Sequence, residues 1–307
     1  MNLHRRSATI IAIVLASSLL AAACGSPKGA AHATRTSGAD ASPTPVPTRP
    51  PGVAPTPFPS VEAKVVGSTE QDPGITAIAA SGDHVWLAVN DAMLESDDRG
   101  GHWRELAPPP AGIDSLSFVS GTEGWAGNPG GLFHTTDGGG TWIEAGAGPV
   151  KRVRFVDAQH GWVAGNGRFL RTTDRGAAWE DVEVPCAGRF GSAFAFYSSA
   201  GGWYVCAGEP SAGAQGKQLF RTADGGVTWA LFSHADFAEP PTTPSAYPLP
   251  GWGYLQDLFA LDSAHLWMSV ERGGVIASTD GAHSWNPLTF DARGAPRSDG
   301  AWFVTPS

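Results

Sequence analysis

Five copies of one eight-residue pattern constrain the fold of this 307-residue chain more than any other feature. The pattern is Ser/Thr-x-Asp-x-Gly-x-x-Trp, and it occupies residues 96–103, 135–142, 172–179, 222–229 and 278–285. Only the last copy departs from it, with Ala282 in place of the glycine. We call these segments the box turns. Five spaced copies indicate a fold built from repeated units.

The residue types explain the pattern as a tight turn. The aspartate can accept hydrogen bonds from the backbone of its own turn, glycine supplies a positive φ, and tryptophan buries a large apolar area. One carboxylate per copy provides too few oxygen ligands for Ca²⁺. We therefore assign these residues a structural role: Asp98, Trp103, Asp137, Trp142, Asp174, Trp179, Asp224, Trp229, Asp280 and Trp285.

A second tryptophan recurs upstream of each box turn, and we call it the hook tryptophan. The hook tryptophans are Trp86, Trp125, Trp162, Trp203 and Trp267, with a sixth, Trp302, that no box turn follows. An apolar segment of strand-like pattern precedes each of the first five. Each repeat therefore predicts four strands, with the hook tryptophan in the second and the box turn between the third and fourth.

The box turns resemble the Asp-box, or bacterial neuraminidase repeat, of sialidase-type β-propellers. The segments HGWVAG and LRTTDRG resemble in particular the propellers of the photosystem II assembly and stability factor type. The resemblance implies an all-β propeller of four-stranded antiparallel blades over residues 61–307, and a non-enzymatic binding scaffold. We expect six blades, with the N-terminal strand 61–66 pairing with the strand of Trp302 to close the ring.

The first sixty residues read as export signals rather than fold. Arg5 and Arg6 precede an apolar run from Ala8 to Ala23, which is too short to span a bilayer. The run ends in Ala-Ala-Ala-Cys, which resembles a bacterial lipobox and implies cleavage before Cys24 and lipidation of its thiol. The alternative is a plain signal peptide cut after A-x-A. We predict a signal peptide over 1–23, a proline-rich disordered stalk over 24–60, and a lipid-anchored chain on the extracytoplasmic face of the cell membrane.

Charge and cysteine content limit the partners. Residues 61–307 hold 15 basic and 28 acidic residues, so a phosphate backbone would be repelled and nucleic acid is not expected as a partner. In an oxidising compartment Cys186 and Cys206 are expected to form a disulfide, the alternative being two buried thiols. We expect a monomer that binds an envelope or membrane protein, or a glycan.

The candidate binding site follows from two places where the repeat is longer. Extra residues lie within 207–218 and within 233–254, and both segments join strands at the same face of a blade. Loops on a rigid scaffold often carry function. We predict partner binding there by aromatic residues and by charged residues of nearby shorter loops: Phe237, Tyr247, Trp252, Tyr254, Arg152, Arg189, Glu271 and Arg272. A lid packed over the blades, or a solvated rim, is the alternative.

Catalysis is the rival interpretation. A sialidase needs three arginines, a tyrosine nucleophile with a glutamate partner and an aspartate, and this set cannot be assembled here from four tyrosines. A glycosidase that uses two carboxylates could draw them from Asp236, Glu239, Asp257 and Glu271. The histidines show no metal-ligand spacing, so we predict neither a metal nor a cofactor. A glycoside hydrolase stays the alternative function.

Overall fold

The computed structural model describes residues 12–14, 74–89, 92–107, 110–186, 191–235, 249–271, 274–288 and 302–304. Within these ranges no helix is long and apolar enough to cross a membrane. The predicted signal peptide and stalk lie almost wholly outside the described residues, as do 61–66. Cleavage before Cys24, lipidation and the stalk stay predictions.

Twenty strands form five four-stranded antiparallel sheets, each built from consecutive strands. The first blade holds β2 (Ile75–Ser81), β3 (His84–Val89), β4 (Ala92–Ser96) and β5 (Arg104–Glu105). The second holds β6 (Ser115–Phe118), β7 (Gly124–Asn128), β8 (Gly131–Thr135) and β9 (Ile143–Glu144). The third holds β10 (Arg152–Phe155), β11 (Gly161–Gly165), β12 (Arg168–Thr172) and β13 (Glu180–Asp181).

The fourth and fifth blades repeat the arrangement, and the outer strand of the fourth is longer than those of the other blades. The fourth holds β14 (Gly191–Phe196), β15 (Gly202–Ala207), β16 (Lys217–Thr222) and β17 (Ala230–Ala235). The fifth holds β18 (Tyr254–Ala260), β19 (Leu266–Glu271), β20 (Gly274–Ser278) and β21 (Asn286–Pro287). The first strands of all five blades line one central cavity, so the sheets are the blades of a propeller. The all-β propeller with four-stranded antiparallel blades is confirmed.

The expected six blades are wrong, because the described residues form five. Trp302 lies in β22 (Trp302–Val304), which pairs in parallel with β1 (Ala12–Val14) in a separate two-stranded sheet. In each of the five blades a box turn joins the third and fourth strands, and no box turn follows Trp302. The expected pairing partner of this strand, residues 61–66, lies outside the described residues.

The five box turns share one hydrogen-bond pattern. In each, the aspartate Oδ1 accepts from the backbone N–H four residues later, at 2.8–2.9 Å. The hydroxyl of the Ser or Thr two residues before the aspartate donates to the same oxygen at 2.7–2.9 Å. The glycine of the turn has φ near +90° in four copies, and Ala282 takes φ +67° in the fifth. The side chains therefore hold the turn without any ligand.

Hook tryptophans join neighbouring blades by stacking on phenylalanines. The ring pairs Trp86–Phe118, Trp125–Phe155 and Trp162–Phe196 are nearly parallel, with centroids 3.5–3.7 Å apart. Trp86 Nε1 also donates to the Gly138 carbonyl, and Trp162 Nε1 to the Gly225 carbonyl, each at 2.9 Å, in the box turn of the next blade. Apolar burial between the sheets therefore stabilises the contact between consecutive blades.

Each stacking phenylalanine requires a glycine in its own blade. A Cβ added to Gly161 would lie 2.4 Å from the Phe155 ring, and Gly124 and Gly202 meet Phe118 and Phe196 in the same way. In the first and fifth blades alanine replaces the phenylalanine, and Val85 and Leu266 replace the glycine. Within one blade, a large side chain at one of these two positions is thus accompanied by a small one at the other, which keeps the interior filled.

The propeller has two different faces. On one, the loop between the first and second strands of each blade accepts a backbone hydrogen bond from that blade's box turn, as in Gly138 N to Thr122 O at 2.8 Å. We call this the box face. The connections that contain the two insertions emerge at the opposite ends of the strands, which we call the insertion face.

Candidate functional site

The two insertions meet on the insertion face, between the fourth and fifth blades. The backbone N–H of Gln215 donates to the Gly251 carbonyl, and that of Gly253 to the Gly213 carbonyl, each at 2.9 Å. Ala214 and Trp252 also form an isolated β-bridge. Described parts of both insertions therefore form one joint platform, which we call the insertion platform.

Lys217 holds the two insertions of this platform together. Its side chain is buried, and its Nζ donates to the carbonyl oxygens of Gln215, Pro250, Gly251, Trp252 and Gly253 at 2.8–3.4 Å. Burial lowers the pKa of Lys217 to about 8, so the ammonium form predominates at neutral pH. Four of these five carbonyls belong to residues 250–253, so the ammonium ties this segment to the first insertion.

Polar contacts of Gln215 and Tyr254 complete the platform. Gln215 Nε2 donates to the Gly208 carbonyl at 2.8 Å, while its Oε1 accepts from the backbone N–H of Leu255 at 2.7 Å. The Tyr254 hydroxyl accepts from the backbone N–H of Gly213 at 3.0 Å. Tyr254, predicted as a binding residue, thus also positions the loop.

Trp252 is the aromatic residue that the platform presents. Its side chain is 40 % exposed, whereas the five hook tryptophans are at most 4 % exposed. Its backbone is fixed by the bridge to Ala214 and by the Lys217 ammonium. A large exposed aromatic on an ordered backbone has the character of an interface anchor.

Arg152 connects three blades at the insertion-face end of the central channel. It lies at the start of β10 and donates to the Ser192 carbonyl of the fourth blade and to the Gln256 carbonyl of the fifth, the latter at 2.6 Å. Its Nε lies 3.9 Å from the Asp257 carboxylate. A β-bulge leaves Gln256 unpaired in the ladder, which frees its carbonyl for this contact. Arg152, predicted to bind a partner, is therefore largely engaged within the protein.

A disulfide joins Cys186 to Cys206 in the fourth blade, with Cα atoms 5.4 Å apart. Cys206 lies near the end of β15, just before the first insertion, and Cys186 lies in the connection from the third blade. Closing a loop of this length stabilises a fold by about 3 kcal/mol. The bond thereby anchors one edge of the insertion platform.

The remaining predicted site residues divide into two groups. Glu271, at the end of β19, accepts a 3.4 Å hydrogen bond from the Gln256 side chain. Phe237, Tyr247, Arg189 and Arg272 lie outside the described residues. Sequence reasoning missed Lys217 and Gln215, because a single lysine and a single glutamine in a glycine-rich insertion carry no pattern.

The described residues favour no catalytic set. The Tyr204 hydroxyl donates to Ser192 Oγ at 3.1 Å, and burial raises the pKa of Tyr204, which disfavours the phenolate of a nucleophile. Of the four carboxylates considered for a glycosidase, Asp236 and Glu239 lie outside the described residues, while Asp257 and Glu271 make the contacts given above. Across the described ranges no group of three His, Cys, Asp or Glu side chains could hold a metal ion.

No known protein family and no curated protein matches this chain by sequence. Among solved structures, the chain is similar to YCF48 from Cyanidioschyzon merolae (17 % identity, TM-score 0.48), over 75 % of this chain and 74 % of that one. It is also similar to YCF48 bound to D1 peptide (19 %, 0.44), over 73 % and 84 %. An ancestral GH74 enzyme (13 %, 0.49) matches 73 % of this chain, which spans only 34 % of that enzyme. Likenesses this distant concern the fold alone, and the five-bladed architecture rests on the strand pairing.

Proposed function

We propose that this chain is a lipid-anchored, extracytoplasmic propeller that binds an envelope or membrane protein through its insertion platform and catalyses no reaction. The observation that carries the proposal is Trp252, a 40 % exposed tryptophan whose backbone is fixed by an ammonium and a β-bridge. A pre-ordered loop loses little conformational freedom when a partner binds, so more of the contact energy appears as affinity.

The platform differs from the rest of the surface. Four large apolar side chains among the described residues are clearly exposed: Ile143, Val227, Leu231 and Trp252. Of these, Ile143 and Leu231 belong to the outer strands of the second and fourth blades and Val227 to a box turn, and every blade has an outer strand and a box turn. Trp252 alone belongs to a segment that occurs once in the chain, and binding specificity is expected from such a segment.

Replacing Trp252 tests the partner proposal. A photo-crosslinking amino acid would be placed in cells at Glu209, which is exposed and lies in the first insertion, and the cross-linked proteins would be quantified by mass spectrometry. We expect Trp252→Ala to reduce recovery of the cross-linked partner about tenfold or more, as for an interface anchor worth about 2 kcal/mol. Ile143→Ala is the matched control, because Ile143 is 64 % exposed and lies on the outer edge of the second blade.

An unchanged set of cross-linked proteins in Trp252→Ala would contradict binding through this platform. Turnover of a fluorogenic glycoside by the purified chain would contradict the scaffold and support the glycoside hydrolase instead. Both variants are first compared by thermal melting, so that a loss of fold is not read as a loss of binding.

The anchoring part of the proposal rests on the sequence of residues 1–24 and on the disulfide, which is typical of exported proteins. We expect Cys24→Ala to move the chain from the membrane fraction to the soluble extracytoplasmic fraction, since the acyl chains attach through this thiol. Cell fractionation with immunoblotting measures the shift. Retention of Cys24→Ala in the membrane fraction after a salt wash would contradict lipid anchoring.

A further inference from the structure

The central channel contains a small cavity at its box-face end. Its volume is about 200 Å³, and all five first strands contribute their last residues to its wall. These residues directly precede the loops that contact the box turns, so the cavity lies away from the insertion platform. Most of the wall is aliphatic or aromatic, as at Ile78, Leu116, Ala195, Phe259 and Leu261.

Arg154 is the one charged side chain among the described residues that line this cavity. Its guanidinium carbon lies 5.9 Å from the centroid of the Phe259 ring. Within the described part of the chain, its side chain makes no hydrogen bond and no ion pair. Arg152, two residues earlier on the same strand, donates to two carbonyls and faces Asp257. One strand therefore carries an engaged arginine and an unengaged one.

Loss of hydration disfavours the charged form of Arg154. Burial is the main influence that lowers its pKa, Arg152 lowers it further, and the Asp257 carboxylate acts in the opposite direction. An arginine nevertheless stays protonated in a protein. Arg154 is half-buried and has no carboxylate partner in the described part of the chain, so a bound anion would supply a counter-charge and offset the loss of hydration at the channel wall.

We propose that this cavity binds a short-chain aliphatic carboxylate, with the carboxylate on the Arg154 guanidinium and the hydrocarbon tail against the apolar wall. The planar fork of an arginine matches the two oxygens of a carboxylate and holds them with two parallel hydrogen bonds. A single arginine balances a single negative charge. The volume lies below the roughly 300–1,000 Å³ of pockets for drug-sized ligands, which limits the tail to a few carbons.

Ligand-detected NMR on the purified full-length chain tests the site, with sodium propionate as the probe and sodium sulfate as the inorganic anion at equal ionic strength. We expect saturation transfer to propionate, at most weak competition by sulfate, and an affinity at least tenfold lower in Arg154→Met. Arg99→Met is the matched control, because Arg99 is exposed and pairs with Asp83 on the surface. The affinity of Arg99→Met for propionate is expected to equal that of the unaltered chain.

Arg154→Lys keeps the charge but not the fork, and serves if Arg154→Met fails to fold. Its expected result is weaker binding of propionate with a melting temperature close to that of the unaltered chain. Equal binding of propionate by the unaltered chain and the folded Arg154 variants would overturn the site. Displacement of propionate by an equimolar amount of sulfate would overturn the carboxylate preference.

Discussion

The box face and the insertion face of this propeller are built in different ways. On the box face one turn is repeated in all five blades, with corresponding hydrogen bonds that agree within about 0.2 Å. On the insertion face the described platform is formed once, by the fourth and fifth blades, around Lys217. The repeated face spreads stabilisation over many similar contacts. The single platform concentrates its order in a few contacts that have no counterpart elsewhere.

The repeated interfaces are expected to be the more sensitive to a large truncation. Trp162 is fully buried, stacks on Phe196 at 3.6 Å and donates to the box turn of the fourth blade. Trp162→Ala leaves a cavity between two blades, and we expect it to lower the free energy of unfolding by about 3–5 kcal/mol. Urea unfolding followed by circular dichroism measures the change.

Trp252→Ala removes the same atoms from the platform and serves as the matched control. We expect it to lower the free energy of unfolding by clearly less, about 1 kcal/mol, because Trp252 is 40 % exposed whereas Trp162 is fully buried. Similar losses in the two variants would contradict the view that the platform presents its tryptophan while the blades bury theirs.

The sequence revealed the repeated parts well, because each feature occurs five times. Box turns, hook tryptophans and four strands per blade were all readable from spacing. The sequence also contains the substitution of one residue pair for another: the third blade has Phe155 and Gly161 where the fifth has Ala260 and Leu266. Its meaning required the ring stacking, since nothing in a single repeat indicates that a phenylalanine packs on the tryptophan of the preceding blade.

The single features could not be derived in this way. Lys217 contacts carbonyls 33–36 residues later in the chain, and backbone carbonyls leave no signature in a sequence. Arg152 and Arg154 are the same residue type two positions apart on one strand, so the sequence does not distinguish their roles. The bulge at Gln256 and the position of the cavity do distinguish them. The prediction of a sixth blade is wrong because Trp302 has the local sequence pattern of a hook tryptophan but no box turn follows it.

Neutralising Lys217 is the direct way to disturb the platform alone. Lys217→Met keeps the length of the side chain but leaves five carbonyl oxygens without their ammonium. We expect the free energy of unfolding to fall by about 2 kcal/mol. Amide hydrogen exchange is expected to rise in 208–216 and 249–254 and to stay unchanged in the first three blades.

Lys151→Met is the matched control for this experiment, since Lys151 is exposed. It removes the same charge without uncovering a buried acceptor, and we expect no change in exchange. Faster exchange throughout the chain in Lys217→Met would mean that the platform and the blades open together. That result would contradict the separation of the two faces.

A single box turn is expected to give the smallest effect, with a clear dependence on pH. The hydroxyl and backbone N–H of Thr228, together with the Thr222 hydroxyl, donate to the Asp224 carboxylate and lower its pKa to about 2. A carboxylate with a depressed folded-state pKa stabilises the fold above its unfolded pKa of about 3.8, and this contribution is lost as the pH falls towards 2. Because Asp224 is exposed, solvent screening reduces the effect. We expect Asp224→Asn to lower the free energy of unfolding by about 1 kcal/mol at pH 7 and by clearly less at pH 2.5.

Asp114→Asn provides the matched control, because Asp114 is exposed and its side chain makes no hydrogen bond or ion pair in the described part of the chain. Urea unfolding of both variants at pH 7 and pH 2.5 gives the comparison. All five box aspartates have a lowered pKa, so acid is expected to weaken the box turn of every blade. A loss in Asp224→Asn that is as large at pH 2.5 as at pH 7 would show that the carboxylate charge does not hold the turn. The repeated face would then depend on its tryptophans and glycines rather than on its aspartates.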